Sequence, residues 1–130
     1  MDNLTPKEAF AYLNDHPEAL FVDCRSELEF HFVGHPVDAL HVPWQESPDW
    51  TINPNFVDEV KRLTQGDDNR PVILICRSGQ RSVDAGLKLE QAGMKRVINV
   101  LDGFEGSLDS EQHRGTTGGW RFEGLPWEQI

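Results

Sequence analysis

The feature that most constrains the fold is a short apolar run that ends abruptly at a cysteine. Residues 72–75 read Val-Ile-Leu-Ile and follow Pro71, a pattern typical of a fully buried β-strand. From Ser82 onward the apolar residues fall at helical spacing, with polar residues between them. Cys76 therefore stands where a buried strand passes through a tight polar loop into the N-terminus of a helix.

This position favours a reactive thiol at Cys76. Exposed backbone N–H groups and the helix dipole stabilise a thiolate at a helix N-terminus. Arg77 and Arg81 place two cationic groups beside the sulfur. A cysteine after an apolar strand is usually only a small buried hydrophobe, but the polar loop makes Cys76 the chain's one plausible nucleophile.

The rest of the chain alternates short apolar runs with segments of helical pattern. Capping boxes at 5–8 and 26–29 predict a helix over 6–14 and a brief one that ends near Gly34. A third helix is expected after Asn53-Pro54, and a fourth over 82–92 with Gly93 as its C-cap. Strands are expected over 19–22, 39–42, 72–75 and 97–100.

This alternation predicts an α/β fold with a mainly parallel central sheet flanked by helices on both faces. In such folds ligands bind beyond the carboxyl ends of the strands. Cys76 lies at such an end, and so does the segment Asp23-Cys24-Arg25.

Composition narrows the classes of function. The length of 130 residues suits a single domain over 1–130, and the net charge of −10 disfavours nucleic acid and anionic membranes as partners. The two cysteines are too few for a disulfide framework or a zinc site, so no metal is expected. With no signal-peptide pattern and no apolar run approaching ~20 residues, a cytoplasmic protein is expected.

Three separated motifs carry a family resemblance. The first is Asp23-Cys24-Arg25 with Glu29, followed by Gly34-His35-Pro36-Val37-Asp38-Ala39-Leu40-His41-Val42-Pro43. The second is the loop Cys76-Arg77-Ser78-Gly79-Gln80-Arg81-Ser82. The third is Val100-Leu101-Asp102-Gly103, then Gly119-Trp120 and Gly124-Leu125-Pro126. In this order they resemble a single-domain rhodanese, a sulfurtransferase homology domain, over nearly the whole chain.

The resemblance implies persulfide chemistry without a cofactor. Cys76 would attack the outer sulfur of a small anionic donor such as thiosulfate, and cyanide, a thiol or an acceptor protein would take that sulfur. The loop that follows would form an anion nest, in which Gly79 allows the turn and Arg81 and Ser82 stabilise negative charge. The substrate-binding residues implied are Arg77, Ser78, Gly79, Gln80, Arg81 and Ser82. The sequence leaves the oligomeric state open.

Two alternatives belong to other classes. A non-catalytic binding or regulatory module would retain the loop without forming a persulfide. A phosphatase or arsenate reductase on the same fold would use Cys-x5-Arg, whereas four residues separate Cys76 from Arg81. The shorter loop favours a single sulfur over a tetrahedral oxyanion.

Structural roles are expected for several other residues. Asp23, Arg25 and Glu29 are expected to form an ion-pair and capping cluster under the loop, and His35 matches the family's structural histidine. Cys24 fits a core position best, with a resolving thiol for Cys76 as the alternative.

The main departure from the family pattern is an inserted loop at about 104–118. It is either a surface loop without consequence or a flap in which His113 and Arg114 shape access to the site. Asp38 and Asp102 replace expected glycines, so the local turns there are expected to differ. Trp44, Trp50 and Trp127 are expected to be anchors in the core or at the surface.

Overall fold

A five-stranded parallel sheet forms the centre of the computed structural model, which describes residues 1–130. Its strand order is β1-β8-β7-β2-β4, and two small antiparallel pairs, β3–β9 and β5–β6, lie outside it. In chain order the elements are β1 (Asp2–Leu4), α1 (Pro6–Asp15), β2 (Leu20–Asp23), a π-helical turn (Glu29–Val33), β3 (His35–Pro36), β4 (Leu40–His41), β5 (Gln45–Glu46), β6 (Thr51–Ile52), α2 (Phe56–Leu63), β7 (Val72–Ile75), α3 (Arg81–Gln91), β8 (Val97–Val100) and β9 (Trp127–Glu128).

The helices lie on both faces of the sheet, which confirms the expected fold class. Alternate residues of each strand point to opposite faces, so β2 and β7 supply side chains to two cores. One core packs against α2 and α3: Leu20, Val22, Cys24, Val72, Leu74, Cys76, Phe56, Val60, Ala85 and Leu89. The other packs against α1 and the C-terminal segment: Phe21, Ile73, Ile75, Ile98, Val100, Ala9, Phe104 and Trp120.

Local sequence signals account for most element boundaries. The Thr5 hydroxyl accepts from the Glu8 backbone N–H, and the Glu8 carboxylate accepts from the Thr5 N–H, as the predicted capping box requires. Gly93 follows α3 with φ of +100°, which suits its predicted role at the helix C-terminus. None of the helices combines the length and apolar character needed to span a membrane.

Several features differ from the sequence expectations, and the two-residue strands β3, β5, β6 and β9 are among them. The brief helix after Ser26 becomes a π-helical turn over Glu29–Val33. The strand β1 was not expected, because its three residues lack an apolar pattern and are ordered by parallel pairing with β8. Asp38 and Asp102 adopt φ of 70° and 65°, so these aspartates keep the left-handed turns that glycines would adopt.

Candidate active site

Cys76 lies directly after β7, one of the central strands, and its side chain is almost fully buried. Residues 76–80 then turn sharply into α3. The turn depends on Gly79, whose φ is +99°. A Cβ at Gly79 would lie 3.3 Å from the Asp102 backbone nitrogen and 3.5 Å from the Val100 carbonyl oxygen. A side chain at this position would therefore strain the backbone and crowd the loop after β8.

Two groups of the loop hold the Cys76 sulfur. The Gly79 backbone N–H donates to Sγ at 3.1 Å, and the Ser82 hydroxyl oxygen lies 3.1 Å from Sγ. Ser82 is fully buried at the start of α3 and also donates to the Asn99 Oδ1. Asn99 comes from β8, so the sulfur is supported by groups from two elements.

The hydrogen bonds of Asn99 orient the Ser82 hydroxyl. Its amide nitrogen faces the carbonyl oxygen of Gly79 at 3.4 Å and Oδ1 of Asn3 at 3.0 Å, so its own Oδ1 must accept. The single hydroxyl hydrogen of Ser82 therefore goes to Asn99. The Ser82 hydroxyl can therefore donate to the Cys76 sulfur only by turning this hydrogen away from Asn99.

Arg81 forms a bidentate ion pair with Glu29. Its Nη1 and Nη2 donate to the two carboxylate oxygens at 2.8 and 2.7 Å. Burial alone would raise the pKa of Glu29, but the hydrogen bonds and charge of Arg81, with bonds from Ser26, lower that pKa to about 2. The pair ties the π-helical turn to the first residue of α3. Sequence analysis placed Glu29 with Asp23 and Arg25, whereas the structure pairs it with Arg81.

Asp23 and Arg25 form a separate, fully buried ion pair. Arg25 Nη2 donates to Asp23 Oδ2 at 2.7 Å, and Nε donates to Oδ1 at 3.0 Å. The guanidinium lies over the Phe104 ring, 4.6 Å from its centroid. The Phe104 backbone N–H in turn donates to the Cys76 carbonyl oxygen at 2.8 Å. This cluster therefore lies against the backbone that positions the loop, and it does not reach the sulfur.

His35 is a structural residue by its contacts. Its Nδ1 lies 2.8 Å from the Phe30 carbonyl oxygen, and its ring stacks on the Phe30 ring at 3.8 Å between centroids. Its Nε2 lies 3.3 Å from a carboxylate oxygen of Glu128, on the strand that pairs with β3. His35 is not among the residues that line the cavity at Cys76.

An open cavity of about 430 Å³ gives access to the sulfur, and it is polar and cationic. Its lining residues are Gln45, Trp50, Cys76, Arg77, Ser78, Gln80 and Arg81. Arg77 is exposed and has no carboxylate partner, so it offers a free positive charge. Gly79 and Ser82 lie behind this surface and contact the sulfur from inside. No group of three or more His, Cys, Asp or Glu side chains is arranged to hold a metal ion.

One wall of the cavity, formed by Gln45 and Trp50, was not predicted from the sequence. Both belong to the hairpin of β5 and β6, where Gln45 Nε2 donates to the Trp50 carbonyl oxygen at 2.9 Å. The Trp50 ring lies over the Arg81 guanidinium at 5.7 Å. Trp50 adopts φ of 58°, an uncommon conformation for an aromatic residue. The only signal in the sequence was a tryptophan in a turn-rich segment.

A model of the rhodanese-like domain matches residues 5–109, most of the chain. The chain belongs to the rhodanese-like family. The crystal structure of Rv0390 from M. tuberculosis is 43% identical and has a TM-score of 0.87, covering 100% of this chain and 98% of that one. An uncharacterized protein of Rickettsia conorii is 28% identical over 98% of both chains. Thiosulfate sulfurtransferase 16 of Arabidopsis thaliana is 31% identical, over 65% of this chain and 69% of that protein.

The family match ends inside the segment 104–118 of this rhodanese-like domain. That segment starts at the site, where the Glu105 N–H donates to the Arg77 carbonyl oxygen at 2.9 Å. The chain then forms a loop that extends away from the site. The two ends of this loop meet, because the backbones of Gly106 and Gly118 are in contact. Residues between these glycines are not among those that line the cavity.

Asp109 organises the outer part of the segment 104–118. Its carboxylate accepts from the backbone N–H groups of Glu111 and His113 and from the Thr116 hydroxyl, at 2.8, 2.9 and 2.6 Å. These hydrogen bonds lower the pKa of Asp109, and the bond from Thr116 has the largest effect. Arg114, the other residue considered for access to the site, donates to the Gly106 carbonyl oxygen at 2.8 Å.

Proposed function

We propose that this rhodanese-like domain is a sulfurtransferase that carries sulfane sulfur as a persulfide on Cys76. The observation that carries the proposal is the position of Sγ. It lies between the Gly79 N–H and the Ser82 hydroxyl at the base of an open cavity with the uncompensated charge of Arg77 at its edge. Donors of this kind stabilise a sulfur anion, and Arg77 attracts an anionic substrate.

The first half-reaction transfers the outer sulfur of thiosulfate to Cys76. The Cys76 thiolate attacks the outer sulfur of thiosulfate, the bond between the two sulfurs of thiosulfate breaks, and sulfite leaves with the electron pair. Cys76 then carries a persulfide whose terminal sulfur bears the negative charge. The Gly79 N–H and the Ser82 hydroxyl are in place to donate to this sulfur chain.

In the second half-reaction a nucleophilic acceptor removes the outer sulfur. Cyanide attacks the terminal sulfur, the persulfide bond breaks, thiocyanate forms, and Cys76 is released as thiolate. A thiolate acceptor would react in the same way and leave as a persulfide. Ser78 and Gln80 line the cavity mouth, where they would contact the donor and the acceptor.

The engagement of Arg81 also favours sulfur transfer over phosphate or arsenate chemistry. Each terminal nitrogen of Arg81 already donates one N–H to Glu29, and this carboxylate neutralises the guanidinium charge, which weakens the attraction of Arg81 for a tetrahedral oxyanion. Arg81 therefore acts as a positioning residue that holds the wall of the cavity.

Intact mass spectrometry after incubation with thiosulfate tests the proposal. Wild-type protein is expected to gain the mass of one sulfur atom, and the Cys76→Ala variant none. Addition of cyanide should remove this mass and release an equal amount of thiocyanate. Cys24→Ala serves as the matched control, because it removes the other cysteine and should leave the gain unchanged. If wild-type protein gains no sulfur from thiosulfate or from polysulfide, the domain is a binding or regulatory module instead.

A further inference from the structure

Cys24 and Cys76 are neighbours across the two central strands. In the parallel pairing of β2 with β7, Asp23 is opposite Ile75. The Cys24 backbone N–H donates to the Ile75 carbonyl oxygen at 3.0 Å, which extends this register by one residue. Cys24 is therefore opposite Cys76, just beyond the ends of both strands.

This register places the Cα atoms of the two cysteines at the spacing of neighbouring strands, which falls within the usual Cα range of a disulfide. Neighbouring strands lie about 4.7–4.9 Å apart, and the Cα atoms of disulfide-bonded cysteines lie about 4.4–6.8 Å apart. The side chains of Cys24 and Cys76 also point to the same face, because both belong to the core packed against α2 and α3. Both are free thiols.

We propose that Cys24 is a resolving thiol, which forms a disulfide with Cys76 after a peroxide has oxidised Cys76. A core position alone would be filled equally well by valine, and the thiol of Cys24 makes a single weak contact, with the Ile75 carbonyl oxygen at 3.4 Å. Rotation about its Cα–Cβ bond would turn this sulfur from the carbonyl toward Cys76.

The environments of the two sulfurs give them different roles. Both cysteines are buried, but Cys76 is among the residues that line the cavity and Cys24 is not. The pKa of Cys24 is raised well above its usual value. Burial is the largest cause, and the nearby negative charge of Cys76 is the next. Cys24 therefore rests as a neutral thiol, and Cys76 meets the oxidant first.

The chemistry is balanced with hydrogen peroxide as oxidant. The Cys76 thiolate attacks one peroxide oxygen, the O–O bond breaks, and hydroxide leaves, so Cys76 becomes a sulfenic acid. The Cys24 sulfur then attacks the Cys76 sulfur, the S–O bond breaks, and the oxygen leaves as water with the proton of Cys24. The disulfide blocks the nucleophile and prevents its further oxidation to sulfinic acid. A dithiol reductant restores both thiols.

The experiment treats the full chain with a small excess of hydrogen peroxide, blocks remaining thiols with iodoacetamide, and measures the mass without reductant. Wild-type protein should lose two hydrogen atoms and yield a tryptic peptide pair linked through Cys24 and Cys76. Cys24→Val should instead gain two oxygen atoms at Cys76, which dithiothreitol cannot remove. Cys76→Ser should form no intramolecular link.

Three results would overturn the proposal: sulfinic acid at Cys76 of wild-type protein as fast as in Cys24→Val, a disulfide between two chains, or no reaction with peroxide at all. Cys24→Ala gives a second test if the valine variant does not fold. Thiosulfate labelling of untreated portions of the same proteins gives an independent readout, because the disulfide requires a reactive Cys76 but no sulfur transfer.

Discussion

The Glu29→Gln substitution tests how much the ion pair with Arg81 stabilises the fold around the site. Glutamine keeps the size of the side chain and one oxygen acceptor, but it removes the negative charge. The Arg81 side chain is only 18% exposed, so the variant leaves a largely buried guanidinium without a counter-charge. The Ser26 N–H and hydroxyl, which both donate to the Glu29 carboxylate, also lose a charged acceptor.

The pKa of Glu29 sets the magnitude. It falls from the usual 4.5 to about 2 in the folded protein. At about 1.4 kcal/mol for each pH unit, this depression corresponds to roughly 3 kcal/mol of stability at neutral pH. Because the folded-state pKa is the lower one, the contribution is present above pH 4.5 and is lost as the pH falls toward 2. Glutamine retains part of the hydrogen bonding, so we expect a loss of about 2–3 kcal/mol at pH 7.

Urea unfolding of both proteins at a series of pH values measures this contribution. The difference in unfolding free energy between wild type and Glu29→Gln should shrink by about 1 kcal/mol from pH 7 to about pH 4, and should shrink further as the pH falls toward 2. Glu27→Gln, the same change at an exposed neighbour, should stay within about 0.5 kcal/mol of wild type. A difference between wild type and Glu29→Gln that stays constant with pH would refute the assigned ion pair.

Two further predictions concern the loop. Gly103→Ala should cost at least about 3 kcal/mol in unfolding free energy, because its Cβ would collide with the Cys76 carbonyl oxygen at a φ of +58°. Gly66→Ala, at a similar φ of +78° with no atom within 4 Å, should cost about 1 kcal/mol, and equal costs would contradict the collision. Ser82→Ala should slow alkylation of Cys76 by iodoacetamide at pH 7 about tenfold, because a hydrogen bond to a charged group contributes about 1.5 kcal/mol. Ser78→Ala, which lines the cavity without contacting the sulfur, should react at the wild-type rate; identical rates for the two serine variants would show that Ser82 does not stabilise the thiolate.

The elements that sequence analysis predicted are those with strong local signals. The strand over Val72–Ile75 is an unbroken apolar run, and α1 begins with a capping box. By contrast, β1 contains three residues, Asp2–Leu4, and exists through its pairing with β8 more than ninety residues later in the chain. A helix start was also visible at Ser26, but nothing in the sequence distinguishes a π-helical turn from an α-helical one.

The residues of the site likewise fall into two groups, those close to Cys76 in the sequence and those that come from distant elements. The loop from Cys76 to Ser82 is continuous in sequence, so its residues could be named without a structure. The partners of the loop come from elsewhere: Asn99 from β8 holds the Ser82 hydroxyl, and Trp50 from the β5–β6 hairpin forms a wall. Their roles depend on which elements the fold brings together, and neither residue type indicates that role by itself.

The two arginines that line the cavity differ in whether they already pair with a carboxylate, and this difference indicates which of them is free to bind an anion. The spacing from Cys76 to Arg81 suggests at first that Arg81 holds the substrate. Its two terminal nitrogens, however, are both bonded to Glu29, and this pair carries no net charge. Arg77 is the cavity-lining arginine with no carboxylate partner, and the Gly79 N–H is the backbone donor already directed at the sulfur. We therefore propose that Arg77 attracts the donor, that Gly79 and Ser82 stabilise the sulfur anion, and that Arg81 keeps the cavity wall rigid.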